Sequence, residues 1–261
     1  MRMPVMFVGH GSPMNAITDN EYKDNWIKIG QVLKPKAIVC VSAHWYTNKT
    51  NVNPTQSPEQ IYDMYGFPPE LYAVKYPVMG SPILADRVKD LIGPDCNYNT
   101  DWGIDHGTWS VLKWMFPDAD IPVIQVSIDG TQSGDFHYRI GEMLAPLRDE
   151  DILIIGSGNI VHNLRKVGWD MTDGYSWAVE FDTLIKDAII EKRFEKVIDY
   201  KSNGESARLA VPTPDHYYPL LYVLGASTSA DQTFIFNDSC DLGSISMTSY
   251  LLGEDVINLF K

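Results

Sequence analysis

Unbroken apolar runs, each cut off by a glycine, a proline or a polar turn, set the pattern of this chain. Residues 4–8, 37–42, 121–127 and 151–155 are apolar without alternation, as strands covered on both faces of a parallel sheet are. Between them, apolar residues recur at helical spacing. Trp26, Ile27, Ile29, Val32 and Leu33 mark a helix over 20–34 that ends before Pro35, and Ile83, Leu84, Val88, Leu91 and Ile92 mark another over about 81–92. Val111, Leu112 and Trp114 predict a third, and Phe136, Ile140, Met143, Leu144 and Leu147 a fourth. Trp177 to Ile189 carry the broad apolar face of a helix over about 175–192, and residues 191–206 read as a second short helix or a solvated surface. Strands at 233–236 and about 244–251 extend the sheet at the end of the chain. Strand and helix in alternation predict an α/β fold, with a central mixed, largely parallel sheet flanked by helices.

Composition narrows this picture without redirecting it. The 261 residues contain no Gly/Ser- or Pro-rich linker and no repeat, so residues 1–261 read as a single catalytic domain. With 21 Lys+Arg against 34 Asp+Glu, the net charge of -13 repels phosphate, which argues against nucleic acid and anionic membranes as partners. Cys40, Cys96 and Cys240 are scattered, without the paired spacing of a zinc ribbon or disulfide framework. The N-terminal apolar run is too short for a signal-peptide core, and no run is long enough to span a bilayer, so a soluble, cytoplasmic protein is expected.

Candidate chemistry gathers where the strands stop. Residues 4–8 run into Gly9-His10-Gly11-Ser12-Pro13, residues 37–42 into Ala43-His44-Trp45-Tyr46, and residues 151–155 through Gly156-Ser157-Gly158-Asn159 to His162. A lone histidine is more often a satisfied core or surface residue than a ligand. Three at the same topological position, where open α/β sheets bind their ligands, have no such bland explanation. Thr213-Pro214-Asp215-His216 supplies a fourth, in the first turn of a helix that Pro219 must kink or restart.

In Asp101-Trp102-Gly103-Ile104-Asp105-His106-Gly107-Thr108-Trp109 a histidine beside a carboxylate is suited to proton transfer, although Asp105 equally fits a helix cap. His137 lies off its helix's apolar stripe and reads as solvated or at a pocket rim. The proline- and tyrosine-rich stretch 51–80 either walls a pocket or patches the core from the surface. If His10, His44, His162 and His216 converge, their neutral imidazoles suit one zinc, copper, iron or nickel ion.

The motifs around His10, His44, His106, His162 and His216, in this order over nearly the whole chain, resemble those of the class III extradiol ring-cleavage dioxygenases, closest to the DOPA 4,5-extradiol dioxygenase branch. The resemblance implies oxygen-dependent opening of a small catechol, DOPA-like or caffeate-like, beside its hydroxyls. It makes His10, His44, His162 and His216 ligands of one divalent metal, zinc or Fe(II), and His106 the acid/base. Ser12, Trp45, Asp105 and Thr108 in the same motifs become substrate-contact candidates, and His216 the ligand expected to bind loosely. None of the four ligand positions is a carboxylate, unlike the two-histidine, one-carboxylate iron site of protocatechuate-type relatives. The alternative reading is a zinc-dependent hydrolase on the same histidines.

Overall fold

The computed structural model describes residues 2–260. Its strands are β1 (Val5–Gly9), β2 (Ala37–Thr47), β3 (Thr50–Val52), β4 (Cys96–Tyr98), β5 (Val123–Asp129), β6 (Ile152–Gly158), β7 (Gln232–Phe236), β8 (Cys240–Asp241), β9 (Ile245–Ser246) and β10 (Ser249–Gly253). The main sheet has eight of them in the order β4-β3-β5-β2-β6-β1-β10-β7, and β8 pairs with β9 in a small hairpin. The four long apolar runs are its parallel heart, with Ala37 and Val5 in register with Ile152 and Ile154 of β6, and Ile38 with Val123 of β5. β10 and β7 add antiparallel strands beyond β1. The expected α/β fold with a mixed, largely parallel sheet is therefore the fold of this chain.

Helices cover both faces because the strands are apolar on both. α1 (Glu21–Val32) and α4 (His106–Met115) bury Trp26, Ile29, Trp109 and Leu112 against Met6, Val8, Ile38 and Cys40. On the opposite face α3 (Pro82–Ile92), α5 (Gly134–Leu144), α6 (Ser176–Ile190), α7 (Phe194–Ile198), α8 (Gly204–Ala210) and α9 (Tyr218–Ala226) join Val5, Phe7, Val39 and Val41. The short α2 (Pro69–Tyr72) lies in the proline-rich stretch.

Strand order is what makes a site. β2 leaves a gap beside β1 that β6 later fills, so β2, β6 and β1 are neighbours, and the three strands that lead to His44, His162 and His10 point to one edge.

Four local expectations are corrected. β2 does not stop at Ser42: it shifts register between Val41 and Tyr46 and pairs on with Ile128 and Asp129, so His44 lies within the strand. Pro219 restarts the helix, sitting in the first turn of α9 where its missing N–H is harmless, but His216 is not in that helix's first turn: it lies in the preceding turn, where Tyr217 and Tyr218 donate to the Pro214 carbonyl. His137 is buried, because α5 is covered by α9 as well as by the sheet; its Nδ1 lies 2.9 Å from the Tyr222 hydroxyl and its ring packs on Tyr218. Burial lowers its pKa to about 4. The single strand expected over 244–251 divides into β9 and β10, since Ser246 and Thr248 turn aside to Asp182 of α6.

Candidate active site

His10 follows β1 with its N–H on the Gly158 carbonyl at 3.1 Å. His106 is the first residue of α4, whose N-cap is Asp105. His162, just past β6, donates its N–H to Ala210 at 2.9 Å. Backbone meets backbone where His216 reaches β6: a Cβ on Gly158 would stand 2.1 Å from the His216 carbonyl oxygen, so only glycine lets this turn lie on the strand end.

The five rings form one chain of contacts, which His162 joins through His216. His10 stands 5.0 Å from His44, 5.6 Å from His106 and 5.3 Å from His216, centroid to centroid, and His44 stands 3.9 Å from His106. His162 stacks on His216 at 3.5 Å with an interplanar angle of 8°. Ligand atoms of His10, His44 and His106 lie within 4.8 Å of one another, and so do those of His162, Asp215 and His216.

Acceptors beside the Nδ1 atoms bear on where the ring hydrogens sit. Ser157 Oγ gives its only hydrogen to the Gly107 carbonyl at 2.6 Å, so at 3.0 Å it can only accept from His10 Nδ1. A carboxylate likewise only accepts, and Asp63 Oδ2 lies 3.1 Å from His44 Nδ1 and 2.9 Å from His106 Nδ1. Neither of these contacts is in line for a full hydrogen bond, whereas Asp63 Oδ1 accepts the His106 backbone N–H at 2.9 Å. Asp215 Oδ2 holds His216 Nδ1. Ser157 and Asp215 therefore place a hydrogen on Nδ1 of His10 and of His216, and the nearby carboxylate of Asp63 favours the same placement on His44 and His106.

Burial, and then the neighbouring imidazoles, push the pKa values of His10 and His44 well below the usual histidine range, so both rings are neutral. Burial does the same to His162, again with His216 as the next cause. For Asp215, burial acts upward, but the hydrogen bond from His216, together with its charge, a Thr213 hydrogen bond and His162, outweighs it and holds the carboxyl below its usual range.

The remaining candidates are placed differently. Asp105 is fully buried and all of its acceptor directions are engaged: Oδ1 takes Ser42 Oγ at 2.7 Å and the Thr108 N–H at 3.3 Å, and Oδ2 takes Trp102 Nε1 at 3.0 Å and Gln125 Nε2 at 2.7 Å. Thr108 Oγ1 donates to Cys40 Sγ at 3.3 Å. Asp105 and Thr108 thus hold the start of α4 in place, with no acceptor direction of Asp105 left open, and Trp45 is buried as well. Ser12 stays half-buried, capping the 13–16 turn through the Met14 N–H. Asp215 tethers His216 Nδ1, and the His216 ring lies face to face with His162.

Sequence reasoning passes over Asp63 and Ser157. Ser157 stands in the quoted motif, but Asp63 lies in the proline-rich stretch with nothing around it to mark it. That stretch both packs and serves: Leu71, Tyr76 and Val78 are buried while Asp63 reaches the histidines.

Residues 5–252 match the model of the catalytic LigB subunit of aromatic ring-opening dioxygenase. The chain belongs to this family. It is 44% identical to a 4,5-DOPA dioxygenase extradiol of Escherichia coli (strain K12), over 97% of this chain and 95% of that one. It is 40% identical to a 4,5-DOPA dioxygenase extradiol of Beta vulgaris, over 94% of each. The crystal structure of an uncharacterized protein from Escherichia coli K12 superposes with a TM-score of 0.85 at 41% identity, covering 97% of this chain and all of that chain. The expected place among extradiol ring-cleavage dioxygenases holds, and membership of the family sets the hydrolase reading aside. Among the described residues no helix is long and apolar enough to cross a membrane.

Proposed function

We propose that the chain acts as one catalytic domain that opens the ring of a small catechol, DOPA or a close analogue, with molecular oxygen at a divalent metal held by His10, His44, His162 and His216. One observation carries the metal: Nε2 of His10 and Nε2 of His44, on two neutral rings, face each other at 3.1 Å, and hydrogens at Nδ1 leave a lone pair on each. Two lone pairs in that position repel, and a cation shared between them turns the repulsion into ligation. The all-imidazole donor set suits ferrous iron or zinc. When bound, ferrous iron supplies the redox chemistry that oxygen activation requires and zinc lacks, so iron is the working metal of this proposal.

The residues supply the rest. His106 stands 3.9 Å from the His44 ring and keeps its Nδ1 against Asp63; with its hydrogen there, Nε2 accepts a catechol proton and returns it later. The relatives' names support a DOPA-like substrate.

The test is to strip the protein of metal, reload it anaerobically with iron or zinc, and follow oxygen uptake over a panel of catechols. Iron-loaded protein should consume oxygen and open the ring, and zinc-loaded protein should bind catechols with little uptake. His10→Ala and His44→Ala should weaken metal binding by about 10-fold or more, since even residues one step removed from a metal cost roughly 10 to 100-fold. His106→Gln should keep the metal and lose about 100 to 10,000-fold in turnover. Full metal affinity in His44→Ala, or equal ring opening by the zinc form with iron excluded, would refute the corresponding part.

A further inference from the structure

We infer that Asp63 is a positioning residue that serves two functional histidines at once, setting the tautomer and aim of both His44 and His106 through a single carboxylate oxygen. The inference rests on the roles proposed above for those two rings. Asp63 Oδ2 is the atom next to both Nδ1 positions, at 3.1 Å from His44 and 2.9 Å from His106. Its Oδ1 accepts the backbone N–H of His106 at 2.9 Å, and that N–H is one of the donors the start of α4 cannot satisfy within the helix. The carboxylate is therefore locked in orientation by the same residue whose ring it faces.

Helix and strand bring the two rings in from different elements, α4 and β2, and Asp63 comes from a third, the stretch between β3 and α2. Bridging them fixes their relation: the rings stand 3.9 Å apart with an interplanar angle of 49°. Asp63 Oδ2 and His106 Nδ1 are buried without a completed hydrogen bond. A modest rotation of either ring closes it, as happens in sites whose hydrogen bonds tighten on loading.

An asparagine of the same shape cannot do this work. With its oxygen toward the rings, its NH₂ meets the His106 N–H, donor against donor. With its NH₂ toward the rings, both Nδ1 atoms must become acceptors, the hydrogens move to Nε2, and the lone pairs leave the centre. Either arrangement disturbs the ligand and the base together.

The experiment compares the parent protein with Asp63→Asn in three ways. Iron and zinc affinities are measured by chelator competition, kcat is measured with a catechol at saturating iron, and the ring nitrogens of His44 and His106 are followed by ¹⁵N NMR in metal-free protein. Asp63→Asn should bind metal about 10 to 100-fold more weakly. At saturating iron it should still turn over at least about 10-fold more slowly, and both rings should lose the pure Nδ1–H signature. Thermal unfolding of the metal-free protein, with midpoints within a few degrees, checks that the fold is intact; should Asp63→Asn fail to fold, Asp63→Ser is read in its place.

Weak metal binding with parental kcat at saturation would mean that Asp63 serves His44 alone, and parental affinity with reduced kcat that it serves His106 alone. Either overturns the bridge, as do unchanged tautomers. If the parent itself binds no metal and opens no catechol, the proposed function fails instead, while the tautomers of the metal-free protein still decide the role of Asp63.

Discussion

Asp182 gives the fold a stability that depends on pH in an unusual direction. It lies in α6, almost wholly buried, and accepts hydrogen bonds from Ser246 Oγ and, at 2.8 Å, from Thr248 Oγ1. Burial pushes its carboxyl from the ordinary 3.8 to about 6, outweighing those two hydrogen bonds and the attraction of Lys186, with Asp238 acting in the same sense as burial. Between these two values the unfolded chain has released a proton that the folded protein still holds. The stabilisation is therefore complete below the ordinary value and is lost as pH rises through about 6, the opposite of a carboxylate in a salt bridge. About two pKa units at roughly 1.4 kcal/mol each give a span of about 2–3 kcal/mol.

Asp182→Asn cannot titrate, so its stability relative to the parent should climb by about 2–3 kcal/mol between pH 4 and pH 7. Denaturant unfolding of both metal-free proteins across that range measures the difference, and Lys186 and Asp238, present in both, largely cancel. A difference flat to within about 0.5 kcal/mol would show that Asp182 titrates normally, and the burial argument would fail.

Two other substitutions test how the frame is held. Gly158→Ala places a Cβ 2.1 Å from the His216 carbonyl oxygen, so the turn bearing His216 must move; metal affinity should fall by about 10-fold or more, as read by chelator competition, and unchanged affinity would show that His216 is not needed for binding. Arg148, fully buried, holds Asp231 through two nitrogens at 2.7 and 2.9 Å and also donates to the Met3 and Ala226 carbonyls. Arg148→Met strands the carboxylate and should cost about 3–5 kcal/mol by denaturant unfolding, much of it recovered in the double variant with Asp231→Leu.

The parallel heart of this sheet is legible in the sequence because burial on both faces writes itself as continuous apolar runs, and the helices because each has one packed side. What fails is local and has physical causes. His137 departs from the apolar stripe of α5, yet α9 covers that flank too, so one periodicity cannot report two buried sides. The tail reads as one strand, but Ser246 and Thr248 answer to Asp182, a partner more than sixty residues away.

The site divides in the same way. Its histidines can be found, because a polar residue that ends an apolar run is conspicuous; their convergence depends on β6 entering between β2 and β1, an order that no periodicity encodes. What remains hidden is the set of groups that face the Nδ1 atoms. Ser157 takes His10, Asp215 takes His216, and Asp63 faces both His44 and His106. None of these groups is marked by hydrophobic patterning, since each does its work through one oxygen atom and its orientation. Yet they bear on the proposed chemistry: hydrogens held at Nδ1 leave Nε2 lone pairs for the cation and the proton that the proposal assigns to these rings. With the hydrogens at Nε2 instead, the same residues in the same fold would present donors to the centre and hold no metal.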